Sequence, residues 1–180
     1  RVEAGTYEGE TLTLTYSGAG PVTVRAEEDG EVVFAGASTV TIKNSQNLTF
    51  RGFLFDGVAS GNSLVLDGSS HVELTDNYFY ENGNSPTSKI VGIRNGSAFN
   101  RIHHNTFDGS KGQSVALYNG HTPADVNNTY NEIDHNLFYG IPRVSDVYPG
   151  SSNGLEAVQL GHGKDVHNVF HTQVHDNVFE

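Results

Sequence analysis

One segment, Ile133-Asp134-His135-Asn136-Leu137-Phe138-Tyr139-Gly140, recurs four more times in related form and specifies the architecture of the chain. Clear copies occupy 74–79, 102–107 and 174–179, and a degenerate copy at 50–55 carries Phe53 where the others carry Asn. The phenylalanines that end the copies are 24, 28, 31 and 41 residues apart. A fixed local pattern at growing intervals indicates stacked coils with insertions in their loops.

Each copy has the period of a β-strand with one buried face, because apolar residues such as Leu48 and Phe50 occupy alternate positions. So short a unit cannot bury its apolar face alone, but units stacked roughly 4.8 Å apart share one core. Stacking would align the asparagines at a bend and the phenylalanines inside. We therefore predict an all-β fold, a right-handed single-stranded parallel β-helix of roughly seven coils, in a single domain over residues 1–180. A β-sandwich is the competing interpretation, and it predicts hairpins without these ladders.

Composition and charge narrow the possible partners. The formal net charge of −11 over 180 residues argues against nucleic acid, which requires a basic surface. No apolar run approaches the roughly 18 residues of a membrane span. Cysteine is absent, which excludes disulfides and thiol catalysis. If the ligand is a polyanion, a bound metal or a few well-placed Lys and Arg must neutralise it.

A second class of strand lies between the copies and ends in a glycine-containing turn. Alternation predicts that its inward pairs are Leu64 and Leu66, Val91 and Ile93, Val115 and Leu117, and Val158 and Leu160. The outward residues between them are Val65, Gly92, Ala116 and Gln159, which predict a flat sheet face. The longest loops, 141–154 and 164–172, flank the C-terminal end of this face. Long loops in a compact repeat are typically functional, so we expect the site there.

The segment Ser151-Ser-Asn153-Gly154-Leu-Glu156-Ala-Val-Gln159-Leu-Gly161, flanked by His-Asn-x-Phe coils, resembles polysaccharide lyase family 6, the family of alginate lyases and chondroitinase B. The resemblance covers residues 45–180. It implies a right-handed parallel β-helix and β-elimination at a uronic acid. In that family one Asn and two Glu hold a calcium ion that neutralises the substrate carboxylate, a Lys removes the C5 proton, and an Arg assists departure of the 4-oxygen.

These residue types suit that chemistry, because a divalent cation on the carboxylate stabilises an enolate-like transition state and oxygen ligands suit calcium. The resemblance makes Asn153 a metal ligand. Glu156 is a second candidate, although a solvated carboxylate at the start of a strand is the simpler interpretation. The family's Glu-x-Glu pair, Lys and Arg belong to coils beyond Glu180. We therefore expect no catalytic residue within the chain, which alone should be inactive.

Four residues are candidates for binding the saccharide. Arg94 and Gln159 are expected on the outward sheet face, where they can contact carboxylates or hydroxyls. Tyr118 ends a strand of the same face, and His121 follows in the next loop. The chondroitin-type arginine of the family has no counterpart near His121, which favours alginate as the substrate. The histidines that recur within the repeat, such as His104 and His135, are expected at ladder or surface positions.

The resulting prediction is a secreted or periplasmic, Ca²⁺-dependent alginate lyase that cuts by β-elimination. The chain is expected to be a section of a longer β-helix, truncated at its C-terminal end, because the copy at 174–179 has no following strand or polar cap. The expected partners are an acidic polysaccharide and either further coils or a second chain. The alternatives are a non-catalytic glycan-binding or adhesive β-helix, or another β-helix enzyme such as a chondroitinase B-like lyase, a pectate lyase or a uronate epimerase.

Overall fold

The computed structural model describes residues 1–118, 127–161 and 169–180. Regular structure in these ranges is almost entirely β, and the helix found there is the single turn α1 (Val144–Val147). Within the described ranges, no helix has the length and apolar character needed to cross a membrane. Short strands follow from the sequence, because Gly and Asn turns interrupt the alternating apolar pattern after a few residues.

The strands form three sheets that successive coils visit in turn. Sheet 1 contains β1 (Gly5–Glu8), β4 (Val32–Ala35), β7 (Phe53–Asp56), β10 (Tyr78–Tyr80), β13 (Thr106–Asp108), β17 (Leu137–Tyr139) and β21 (Val178–Phe179). Sheet 2 contains β2 (Thr11–Leu14), β5 (Thr39–Lys43), β8 (Asn62–Asp67), β11 (Lys89–Arg94), β14 (Gln113–Leu117) and β18 (Val158–Leu160). Sheet 3 contains β3 (Val22–Arg25), β6 (Gln46–Arg51), β9 (Ser70–Thr75), β12 (Arg101–His103), β16 (Glu132–Asp134) and β20 (Gln173–His175). A separate short pair joins β15 (Asn128–Thr129) to β19 (Val169–Phe170).

All pairings between these strands are parallel, so the described chain is a parallel β-solenoid and the β-sandwich interpretation is wrong. Sheets 2 and 3 each hold six strands, which leaves five steps between neighbours and gives about five turns. The expected count of roughly seven coils is not confirmed. Right-handed winding and the single-domain organisation stay predictions.

The phenylalanines that end the repeat copies form one stack inside the solenoid, as the sequence predicts. The ring centroids of Phe55, Phe79, Phe107 and Phe138 follow one another at 4.8, 4.8 and 4.9 Å, and all four side chains are buried. Phe179 continues the stack at 5.2 Å from Phe138 but is exposed. The strands of sheet 1 place these rings in register, so each coil contributes one ring to the shared core.

The predicted asparagine ladder lies at the bend between sheets 3 and 1. Asn77 Nδ2 donates to Asn105 Oδ1 at 3.0 Å, and the same bond recurs from Asn105 to Asn136 and from Asn136 to Asn177. In the degenerate copy, the backbone N–H of Phe53 donates to Asn77 Oδ1 at 3.1 Å. The residue before each Asn has a positive φ of 53–55°, which the tight bend requires. The set comprises Asp76, His104, His135 and Asp176.

Two further ladders could not be predicted from the sequence, because their residues fall outside the repeated segment. Asn100 Nδ2 donates to Asn131 Oδ1 at 3.0 Å, and both amides are buried. The backbone N–H of Ser45 donates to Ser69 Oγ, and that of Ser69 donates to Ser97 Oγ, each at 3.1 Å. The serine bonds satisfy backbone N–H groups at the bend between sheets 2 and 3, where the chain leaves one sheet before entering the next.

Candidate functional site

The outward face of sheet 2 carries the row of residues expected there, but this face is covered. Strand register aligns Val65, Gly92, Ala116 and Gln159, which confirms that they share one face. Val65 and Ala116 are nevertheless only 2% and 0% exposed, so other side chains cover this outward face. At Gly92 the cover is Tyr118, since an added Cβ would lie 3.1 Å from its ring. The outward face of sheet 2 is therefore covered by side chains and is not open to solvent.

The predicted inward pairs of sheet 2 are buried in three strands and partly exposed in the last. The pairs of β8, β11 and β14 are buried in the core. In β18, the register with Val115 and Leu117 places Val158 and Leu160 inward, but Val158 is half-buried and Leu160 is 46% exposed. The reason is positional, because β18 is the terminal strand of sheet 2 among the described residues.

Arg94, a predicted saccharide ligand, is held by a carboxylate of the neighbouring coil. Its Nη2 and Nε donate to Asp67 Oδ2 at 2.9 and 3.2 Å, and Asn95 Nδ2 donates to Asp67 Oδ1 at 2.7 Å. Burial by itself lowers the pKa of the Arg94 guanidinium, but the hydrogen bonds to Asp67 and the charge of Asp67 raise it by more, so the pKa lies above its ordinary value. Asp67 therefore anchors Arg94 at the C-terminal edge of sheet 2, beside Tyr118.

Tyr118 and Lys89 form the centre of this face. The Tyr118 hydroxyl donates to Asn62 Oδ1 at 3.3 Å, which directs the ring across Gly92. Lys89 Nζ lies 4.8 Å from the Tyr118 ring centroid and donates to the carbonyl of Thr87 at 2.9 Å. Such a cation over an aromatic face is an attractive contact. The sequence predicts Tyr118 at this face but not Lys89, although Lys89 begins the strand that ends in Arg94.

Burial shifts the protonation of both groups. Partial burial lowers the pKa of Lys89, and the more distant charge of Glu156 opposes this shift. Burial also raises the pKa of the Tyr118 phenol, against the influence of Arg94. The phenol therefore stays neutral near pH 7, while the ammonium occupies a setting less hydrated than the surface.

Five oxygen atoms of sheet 2 and of the segment leading into its last strand are buried without a hydrogen-bond partner among the described residues. Glu156 Oε2 and Gln159 Oε1 belong to the last coil, Gln113 Oε1 and Ser114 Oγ to β14, and Ser63 Oγ to β8. A buried acceptor left unsatisfied costs about 1–3 kcal/mol, so each of these oxygens favours a donor from water or a ligand. Together with Lys89, they give the face both acceptors and a cation, a combination that can bind hydroxyl and carboxylate groups.

The predicted calcium ligands do not form a metal site by themselves. Asn153 is exposed, and the one bond described for it joins its backbone N–H to Ser151 Oγ at 3.2 Å. In the described ranges, no three His, Cys, Asp or Glu side chains are grouped to hold a metal ion. Calcium takes about six to eight oxygen ligands, which Asn153 and Glu156 do not supply. His121, the fourth saccharide candidate, lies outside the described residues.

Sheet 3 carries a second polar cluster, in which the partners come from successive coils. Arg101 donates to both carboxylate oxygens of Asp134, at 2.9 and 2.6 Å. Burial opposes the charge of Asp134, but the bonds from Arg101 and His135 lower its pKa to about 2. His104 and His135 stack at 5.3 Å, as expected of ladder positions. Every described charge here has an internal partner, which is typical of a structural network.

Taken together, fold and site define a parallel β-solenoid with a polar, cation-bearing face on one sheet. No protein-family model and no curated protein matches the sequence. Solved structures that share the fold include an alginate lyase of polysaccharide lyase family 6, AlyGC, solved as a mutant, at 22% identity and a TM-score of 0.68 over 89% of this chain. A family 6 polysaccharide lyase from Pseudopedobacter saltans matches at 18% identity and 0.71 over 99%.

A third solved structure, a family 6 alginate lyase in complex with a trisaccharide, matches at 20% identity and a TM-score of 0.60 over 91% of this chain. The expected resemblance to family 6 is therefore confirmed at the level of the fold. The chain spans 22%, 41% and 36% of the three structures, in the order given.

Proposed function

We propose that this chain is part of a polysaccharide lyase that cleaves an acidic uronate polymer, with alginate as the preferred substrate, by β-elimination. The observation that carries the proposal is the fold shared with family 6 lyases over 89–99% of the chain. The Asn153–Gly161 motif supports it, because strand register brings Gln159 beside Ala116 on the face that also holds Lys89 and Tyr118.

Charge gives a second line of support. A molecule with a net charge of −11 repels a polyanion at long range, so binding requires cations concentrated at one place. Lys89 supplies such a cation on the face of sheet 2, whereas the charge of Arg94 is already paired with Asp67. Neutral acceptors such as Gln159 Oε1 can take the hydroxyl protons of the sugar ring.

Calcium dependence belongs to the proposal, with Asn153 and Glu156 as part of a ligand set completed by coils outside this chain. No catalytic residue is assigned within the chain, and the Lys and Arg of the reaction are proposed to lie in the same additional coils. Right-handed winding is included because about 98% of parallel crossovers have that hand. A secreted or periplasmic location is included because a polymeric substrate is encountered outside the cytoplasm.

Calorimetric titration of the chain with alginate oligomers, with calcium or with EDTA, tests the binding part of the proposal. We expect binding that EDTA weakens, and we expect Asn153→Ala to weaken binding in calcium without further loss in EDTA. A non-catalytic glycan-binding module would bind equally well with the chelator present. That result would reject the calcium site.

The lyase reaction is tested in a protein extended by whatever coding sequence follows residue 180 in the gene. β-elimination leaves an unsaturated uronate, which is followed by its ultraviolet absorbance on alginate, chondroitin sulfate and pectate. We expect product on alginate and none from the 180-residue chain alone. Hydrolysis without an unsaturated product, or turnover of pectate in preference to alginate, would contradict the proposal.

A further inference from the structure

Lys89 differs in its surroundings from the ion-paired cations of the described residues. Five cations in those ranges form ion pairs with carboxylates, namely Arg1, Arg51, Arg94, Arg101 and Lys111. Lys89 is half-buried, and no carboxylate oxygen of the described residues lies within 4.0 Å of its ammonium. In a chain with 21 acidic residues, a partly desolvated cation without such a partner is unfavourable unless something else neutralises it.

The ammonium of Lys89 is held in position but not saturated. One N–H donates to the carbonyl of Thr87 at 2.9 Å, and the Tyr118 ring lies on another side. An ammonium has three donors, so capacity remains for a ligand oxygen. Because Tyr118 is itself fixed by Asn62, the binding geometry is set before a ligand arrives.

Strand register gives Lys89 a partner of complementary chemistry. Lys89 pairs with Gln113 in the next coil, so the two residues lie on one face at a spacing of roughly 4.8 Å. Gln113 Oε1 is buried and has no hydrogen-bond partner among the described residues. A cation beside an unsatisfied acceptor can bind a carboxylate that has a hydroxyl nearby, which is the arrangement of a uronate sugar.

We propose that Lys89 is the carboxylate anchor of a uronate-binding subsite on sheet 2, with Gln113 accepting a sugar hydroxyl. Lys89 lies two strand steps, roughly 10 Å, from β18, which carries Gln159. The subsite therefore binds a sugar unit remote from the Asn153–Gly161 motif. The inference rests on the proposed function, whose polymer substrate it specifies further.

Binding of alginate oligomers and of their carboxyl-reduced, neutral counterparts tests this subsite. Lys89→Gln should weaken binding of the acidic oligomers about tenfold, which is typical for loss of one charge-assisted hydrogen bond. Lys89→Arg, which keeps the charge, should retain most of the affinity. Binding of the neutral oligomers should be the same for wild type and Lys89→Gln.

Lys111→Gln is the matched control, because Lys111 pairs with Glu81 at an exposed position and should leave binding unchanged. Thermal unfolding verifies that each variant folds, and Lys89→Met replaces Lys89→Gln if the amide disturbs the contact with Tyr118. Equal binding of acidic oligomers by wild type and Lys89→Gln would overturn the subsite and leave the proposed function intact. Equal binding of acidic and neutral oligomers by wild type would overturn both.

Discussion

At the scale of single residues, Asn105 shows how one buried amide ties three coils together. Its Nδ2 donates to the carbonyl of Leu74 in the coil before it and to Asn136 Oδ1 in the coil after it, and its Oδ1 accepts from the backbone N–H of Asn77. Asn105→Ala leaves these buried groups without partners, so we expect the free energy of unfolding to fall by about 2–4 kcal/mol. Urea denaturation followed by circular dichroism measures this loss.

Asn153→Ala is the control for Asn105→Ala, because Asn153 is exposed and the one bond described for it uses its backbone. We expect this variant to change the free energy of unfolding by less than about 0.5 kcal/mol. Equal losses in the two variants would show that the buried ladder contributes no more to stability than a surface amide.

The ladder residues could be predicted from sequence because the same residue type returns at the same place in each copy. The contacts of the candidate site have no such repetition. Arg94 is held by Asp67 and Lys89 lies over Tyr118, and each pair joins different coils at a separation that only the folded register sets. Sequence therefore predicted Arg94 and Tyr118 as members of the face, but neither their partners nor Lys89.

At the scale of elements, His175 connects β20 to β16. Its Nε2 lies 3.0 Å from Glu132 Oε1 and its Nδ1 lies 2.9 Å from Asp176 Oδ2. Asp176 and then Glu132 raise the pKa of His175 above its ordinary value of 6.5. The protonated imidazole thus stabilises the folded chain fully below the unfolded pKa, and this contribution disappears as the pH rises through the higher folded pKa.

His175→Gln should therefore flatten the dependence of stability on pH. The free energy of unfolding, measured in urea between about pH 6 and pH 8, should fall less steeply in the variant than in wild type. Glu132→Gln removes one partner of the imidazole and should give an intermediate slope. Parallel curves for wild type and His175→Gln would show that this imidazole does not link the two strands energetically.

The strands of sheet 2 show what alternation can and cannot predict. Period-two patterning correctly assigned Leu64 and Val65 to opposite faces, because side chains alternate along any strand. Alternation does not predict how exposed an outward residue is, and Val65 is in fact buried. The exposure of an outward residue depends on whether side chains or loops from other coils cover the face of the sheet, and period-two patterning carries no information about those. Leu160 shows the converse case, an inward residue left exposed at the end of the stack.

At the scale of the whole molecule, the solenoid should be most stable at its centre. Each coil packs mainly on the coils before and after it, so a terminal coil lacks one of its two interfaces. Leu64 and Ile93 in the central coils are fully buried, whereas Val178 and Phe179 in β21 are 50% and 59% exposed. Local opening should therefore require less free energy near β20 and β21 than near β8 and β11.

Hydrogen–deuterium exchange followed by mass spectrometry measures this gradient in the 180-residue chain. Peptides that cover β8, β11 and β14 should exchange slowest, and those that cover β20 and β21 should exchange fastest. Asn105→Ala should speed exchange most in its own coil and in the two coils it bonds, because stability in a stack propagates between neighbours. Uniform exchange along the wild-type chain would instead show that the coils open as one cooperative unit. In that case Asn105→Ala would speed exchange equally in every coil.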